Sequence, residues 1–233
     1  MSRVMKVVES AFDLLARARS ARGFHPVGDI FEASARWDDP ASPTVRALGG
    51  PGSADALIRL SKGIGTPGGL PDFLGIALRI RPDRAPIDLL LTTVGCRGWR
   101  RNVLSPTRGW SRTSYSTLLP YHASGDRVIL ALRPDIGAAT PASMTAINAA
   151  LATGTLGFAI EERRDGSWKV IGRVEVTGRR LVGDVSFDPY LVNLPNLAPV
   201  GFLAELRERA YVGSRRGRGA EPVEAEANGS ARR

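Results

Sequence analysis

The order of apolar and polar positions divides the chain into many short elements. Residues 2–22 alternate Val4, Val7, Val8, Phe12 and Leu15 with Lys6, Glu9, Asp13 and Arg17, a helical period that predicts a helix ending near Gly23. Phe24 to Trp37 then alternates at period two, with His25, Val27, Phe31, Ala33 and Ala35 on one parity, and predicts a strand. Residues 38–53 hold Pro40, Pro43, Gly49, Gly50, Pro51 and Gly52 and predict a loop. Short strands are predicted over 56–61, 73–81, 87–94 and 126–133, with a Gly/Pro loop over 62–71 and an irregular polar stretch over 97–116. Pro141 to Ala152 predicts a helix with Pro141 in its first turn. Strands over 156–163 and 168–175 flank the turn Asp165-Gly166. A last helix is predicted from Pro199 to about Arg216, and the apolar-poor 219–233 reads as a disordered tail. The sum is an α+β fold, a single domain over 1–218, with an antiparallel sheet curled into a barrel and few helices around it.

Composition narrows the function. A hydrophobic content of 43% supports a real core, and no apolar run is long enough to span a membrane. One cysteine, Cys96, excludes an internal disulfide and a cysteine-based zinc cage, and makes a cytoplasmic location the default expectation. The net charge of +9 favours anionic partners. Yet Lys6, Lys62 and Lys169 are the only lysines among 32 basic residues, the arginines are scattered, and no nucleic-acid-binding motif is visible. No specific nucleic-acid partner is expected.

One motif is set aside. Gly63-Ile64-Gly65-Thr66-Pro67-Gly68 matches G-x-G-x-x-G after a strand. A dinucleotide site needs a helix to open there, and Pro67, Gly68, Gly69 and Pro71 forbid one.

Three places carry candidate chemistry. On the C-terminal helix, Arg207 and Tyr211 are four apart and share a face, and Arg218 falls within roughly 20° of Arg207 on the helical wheel. Two guanidinium groups beside a phenol favour the phenolate, a hard anionic ligand suited to ferric iron. The alternative is an amphipathic helix with solvated arginines. His25, in Arg22-Gly23-Phe24-His25-Pro26-Val27-Gly28, is the main general acid–base candidate in a chain with two histidines. His122 reads as a loop residue without a role. Arg59 and Ser61 share strand parity, and an arginine facing into a barrel needs an anionic partner, whereas one facing out is solvated.

Taken in order, these blocks resemble the haem catalases and their smaller catalase-like, peroxidase-type relatives. The segment around His25 resembles the one that carries the distal histidine. Ile58-Arg59-Leu60-Ser61, continued through Asp72-Phe73-Leu74-Gly75-Ile76-Ala77-Leu78-Arg79-Ile80, is similar to R-F-S … D-x-R-G-F-A-x-K-F. Ile87 to Thr93 lies where the family has its distal-asparagine strand, and Ser114-Tyr115-Ser116 … Pro120-Tyr121 … Gly125-Asp126-Arg127-Val128 matches a further pattern. Ser186-Phe187-Asp188-Pro189 … Leu194-Pro195 … Pro199-Val200-Gly201, followed by Arg207-x-x-x-Tyr211 and Arg218, resembles the proximal segment.

The resemblance implies a catalase-type β-barrel binding haem b, with Tyr211 as the iron ligand held as phenolate by Arg207 and Arg218. It implies His25 as distal acid–base, Ser61 as its orienting partner, and Arg22 and Arg59 as propionate contacts. The substrate would be hydrogen peroxide or an organic or lipid hydroperoxide, with an unidentified reductant, in a monomer or homo-oligomer. The departures are Thr92 in place of the distal asparagine, Leu74 in place of arginine, and Gly63 in place of a valine over the haem. They imply a roomier distal side and weaker peroxide dismutation. The alternative implied by the same departures is a non-catalytic catalase-fold protein that binds haem or another small ligand.

Overall fold

The computed structural model describes residues 27–200, apart from 82–84, 96–97, 112, 136–138, 155 and 182–184. The helices expected over 2–22 and beyond 200, the tail, Cys96, and the candidates Arg22, His25, Arg207, Tyr211 and Arg218 lie outside the described residues.

Ten strands run in chain order: β1 (Val27–Trp37), β2 (Gly52–Lys62), β3 (Leu74–Arg81), β4 (Ile87–Val94), β5 (Ser114–Ser116), β6 (Tyr121–Ala123), β7 (Asp126–Asp135), β8 (Leu156–Arg164), β9 (Ser167–Leu181) and β10 (Leu197–Pro199). Two helices are described, α1 (Pro43–Ala47) and α2 (Met144–Thr153). The sheet order is β10-β6-β7-β5-β4-β3-β2-β1-β9-β8, and a further β7–β8 pairing returns the last strand to β7. Eight strands thereby close into an antiparallel barrel, which removes the free edges of the ring. Strands β6 and β10 extend the sheet from one side of β7.

Period-two alternation decides which side chains go inside. Phe31, Ala33, Ala35 and Trp37 of β1 join Ala56, Ile58 and Leu60 of β2, Ile76, Leu78 and Ile80 of β3, and Leu89 and Leu91 of β4 in one buried cluster. This is the parity expected for Phe31, Ala33 and Ala35. Ile147 and Leu151 of α2 belong to the same cluster, so the helix lays its apolar face on the barrel. A cavity of about 20 Å³ lies among Trp37, Leu48, Ile80, Leu130, Ile160 and Ile171, too small for anything larger than a water molecule.

Several boundaries differ from the expectations. The loop expected over 38–53 contains α1, capped by Ser42, whose hydroxyl accepts from the Val45 amide and donates to Glu162. A five-residue helix between prolines and glycines has too few apolar positions to show a period. Helix α2 begins at Met144 with Ser143 as its N-cap, so Pro141 precedes the helix instead of sitting in its first turn. Pro199 closes β10, paired with Tyr121, and so does not begin a helix. The stretch expected to be irregular, 97–116, holds a short 3-10 turn, Gly98–Asn102, and β5.

Candidate functional site

The outer face of β1–β4 gathers the candidates that fall on described residues. Register places Gly28 opposite Ser61, Ser61 opposite Gly75, Gly75 opposite Thr92, and Thr92 opposite Ser116. Five strands thus contribute one continuous row of small residues. The adjoining row is Ile30, Arg59, Ala77 and Leu90, and the next is Glu32, Leu57, Arg79 and Asp88. Alternation puts all three rows on the face away from the barrel interior. Arg59 and Ser61 accordingly face out, not in, yet Ser61 is buried and Arg59 half-buried.

The row is tightly built. A methyl group on Gly28 would lie 2.7 Å from Ser61 Cβ and 3.0 Å from Arg59 Cζ, so the absent side chain is what lets the Arg59 guanidinium lie across β1. Ser61 Oγ donates to the Gly75 carbonyl at 3.2 Å. Thr92 Oγ1 is turned toward the Leu74 carbonyl, 3.4 Å away. Ser116 Oγ accepts from the Leu118 amide at 3.0 Å.

Gly63 corrects one expectation. A Cβ there would fall 2.7 Å from the Phe73 carbonyl oxygen, which already accepts from the Gly63 amide. The glycine meets a close backbone approach and opens no room above the row.

Below the row the face becomes apolar. Ile30, Leu57 and Ala77 pack with Phe187, and Leu90, Leu181 and Val185 border them. Arg79 fixes this cover in place. It makes a bidentate pair with Asp88, both contacts at 2.7 Å, donates to the Ser186 carbonyl, and lies 5.2 Å from the Phe187 ring centre. Asp88, fully buried, also accepts from the Asp188 amide at 2.7 Å. The hydrogen bond to Asp88 raises the Arg79 pKa above its ordinary value. Ser186-Phe187-Asp188 is thus a strap held across the outer face, a role its sequence did not disclose.

The G-x-G-x-x-G loop is already an anion site, and its anion is internal. Asp72, fully buried, accepts from the amides of Ile64, Gly65 and Thr66 and from the Thr66 hydroxyl. Burial pushes the Asp72 carboxyl up, but the Ile64, Thr66 and Phe73 amides with the Thr66 hydroxyl together hold it below the usual carboxylate value. Lys62 Nζ, 4.0 Å from Asp72, donates to the carbonyls of Thr66, Gly68 and Ala142 at 2.6, 2.9 and 2.7 Å. A carboxylate of the chain already takes these amides, which leaves none for a dinucleotide pyrophosphate.

Ile30 and Ala77 are covered by Phe187. What this face brings toward a ligand is the close approach its small residues allow, the half-buried Leu90 and the half-buried Arg59 guanidinium, a group that pairs with carboxylates such as the propionates of a haem. Among the described residues no cluster of three or more His, Cys, Asp or Glu could hold a bare metal ion. Tyr115 is fully buried, donates to the Trp110 carbonyl at 3.2 Å, and burial pushes its phenol well above the usual value, so it stays neutral. Tyr115 is thus no iron-ligating phenolate, and Tyr211 stays the sequence candidate. His122 is exposed on β6, opposite Arg127.

No protein-family model matches the chain, and no curated protein matches it. Solved structures do. Catalase A from Saccharomyces cerevisiae superposes with a TM-score of 0.59 at 12% identity, over 89% of this chain and 64% of that one. A bacterial catalase superposes with a TM-score of 0.62 at 12% identity, over 100% of this chain and 66% of its own length. The chain thus spans just under two thirds of either protein. The fold is the catalase-type antiparallel β-barrel with few helices.

Proposed function

We propose that the protein is a haem-dependent oxidoreductase acting on hydrogen peroxide or an organic hydroperoxide. The observation that carries this reading is the register row. It brings Ser61 and Thr92, read separately from the sequence, onto one outer face with Arg59 beside them. That face belongs to a barrel of the catalase type and carries groups suited to a flat carboxylate ligand.

In this reading Tyr211 is the iron ligand, kept as phenolate by Arg207 and Arg218, while Arg22 and Arg59 hold the propionates. Bound haem supplies the redox chemistry that cleaves a peroxide O–O bond. His25 takes a proton from the peroxide and returns it to the departing oxygen. Ser61, fixed by its hydrogen bond to the Gly75 carbonyl, is the partner that orients the histidine ring.

The first test is the visible spectrum of protein produced with ample haem. A Soret band with phenolate features that disappears in Tyr211→Phe supports the assignment. Protein that stays colourless and takes up no haemin defeats it.

A second reading rests on Thr92. Its hydroxyl is turned to the Leu74 carbonyl, so it presents no fixed donor to a ligand above the row. A protein of this fold that binds haem or another small ligand without turnover fits that arrangement. Haem binding with no peroxide consumption selects it.

A further inference from the structure

The hairpin that joins β8 to β9 outruns the barrel. Arg163, opposite Ile129, is the last β8 residue paired with β7. On its other side β9 pairs with β1 no further toward the turn than Gly172, opposite Trp37, where the Asp38 amide adds one bond to the Ile171 carbonyl. Among the described residues, 167–170 of β9 are therefore paired with β8 alone, from Glu161↔Val170 to Arg164↔Ser167. Ser167, Lys169 and Val170 are exposed, and Trp168 is half-buried, with the Arg101 guanidinium 3.8 Å from its ring centre. A ribbon supported on so little of its length opens locally at small cost.

At its tip stand Asp165 and Gly166, with φ of 51° and 81°. Two central residues at positive φ make a type I′ turn. Asp165 thus holds a backbone conformation that a residue with a side chain seldom takes. Its side chain is 93% exposed, and the Arg164 guanidinium 3.8 Å away is a surface partner too weak to hold the carboxyl to one side. Asp165-Gly166 is also the single Asp-Gly step in the sequence, and every other aspartate precedes a larger residue.

We propose that Asp165 is a site of spontaneous isoaspartate formation. The Gly166 nitrogen bonds to Asp165 Cγ. The carboxyl C–O bond breaks, and the hydroxyl leaves with the amide proton as water, closing a five-membered succinimide. With no side chain on Gly166, the nitrogen is open to this approach. Water then opens the ring, and addition at the main-chain carbonyl leaves Gly166 joined through Cγ. No oxidant, reductant or metal enters the balance. Ring closure needs Asp165 to leave its turn conformation, so the reaction runs through the opened tip. The product carries one more backbone carbon and does not fit a two-residue turn, so the Arg164↔Ser167 pairing is lost. Its free carboxylate is the class of group that isoaspartyl carboxyl methyltransferases esterify. The inference does not depend on haem or on the proposed reaction.

The test is incubation of the full chain for weeks in warm, near-neutral buffer, followed by mass spectrometry of the tryptic peptide that ends at Lys169. Isoaspartyl and aspartyl forms have equal mass, separate on chromatography, and differ in methyl uptake from S-adenosylmethionine. Position is the readout, because Asn228-Gly229 yields the same linkage by losing ammonia. The expected result is isoaspartate at 165 ahead of every other aspartate, forming in the folded protein within about tenfold of its rate in urea. Gly166→Asn keeps a residue that accepts positive φ but crowds the nitrogen, and should slow the conversion about tenfold or more. The inference is overturned if 165 stays aspartyl, or converts more than about tenfold slower when folded, since the turn would then protect it. Conversion as fast in Gly166→Asn as in the parent overturns it too.

Discussion

Gly28 and Ser61 stand opposite each other across β1 and β2, with 2.7 Å between Ser61 Cβ and the place where a Gly28 side chain would begin. Arg59 fills the remaining space, so one missing side chain sets the positions of two candidate site residues.

Gly28→Ala is therefore expected to overpack the row, at a cost of about 1–3 kcal/mol. Urea unfolding measures this, and a haemin titration of the same variant should show weakened uptake. Unchanged values in both would mean that the contact relaxes freely.

Lys62→Met should be severe. It keeps the length of the side chain but leaves the Thr66, Gly68 and Ala142 carbonyls without their donor and the buried Asp72 without its cation. Removing one partner of a buried charged pair costs about 3–5 kcal/mol. The urea midpoint reads the loss, and hydrogen exchange should place it at the Gly63–Asp72 loop.

Stability should also depend on pH through Asp72. Its folded-state pKa is depressed by the loop amides, so the stabilisation is fully present above the unfolded carboxylate value and is lost as pH falls through the folded one. The midpoint should drop below about pH 4. In Asp72→Asn the acid limb should flatten and the midpoint at neutral pH should fall. An acid limb identical to that of the parent protein would assign the effect to other carboxylates.

If haem binds, His25→Ala should lower peroxide consumption by about 10²–10⁴-fold while the Soret band persists. Thr92→Asn tests the same face in the other direction. It supplies an amide donor where the threonine hydroxyl is turned to Leu74, and stopped-flow mixing with peroxide should show faster reaction. Full activity in His25→Ala would remove the histidine from the reaction.

Strand β4 was legible from end to end because Ile87–Val94 is an apolar run bounded by Pro86 and Gly95. Strand β2 begins four residues before its expected start, since Gly52, Ser53, Ala54 and Asp55 carry no apolar signature and owe their strand form to pairing with Trp37 through Ser34. Parity told that Arg59 and Ser61 share a face. It could not tell which face, because that depends on which partner strands close the barrel. The row linking Ser61 to Thr92 was hidden for the same reason: the register between their strands is set by the turns and the core. Nor could the glycine motif show that Asp72 supplies its anion, for the carboxylate enters from the far end of its own loop.

Barrel closure has a consequence for how the chain is made. Strands β1 to β4 pair as consecutive antiparallel neighbours, so the outer face bearing Gly28, Arg59, Ser61 and Thr92 can assemble from the first hundred residues to leave the ribosome. The other edge of β1 finds its partner only in β9, where Ala33 meets Val176 and Ile30 meets Leu181. Until those residues are synthesised, β1 presents an open row of amides and carbonyls, a template for pairing with another chain. Slowing elongation ahead of residue 167 should lengthen that exposure, which makes late synthesis, rather than formation of the face itself, the stage at which this barrel is most prone to aggregate.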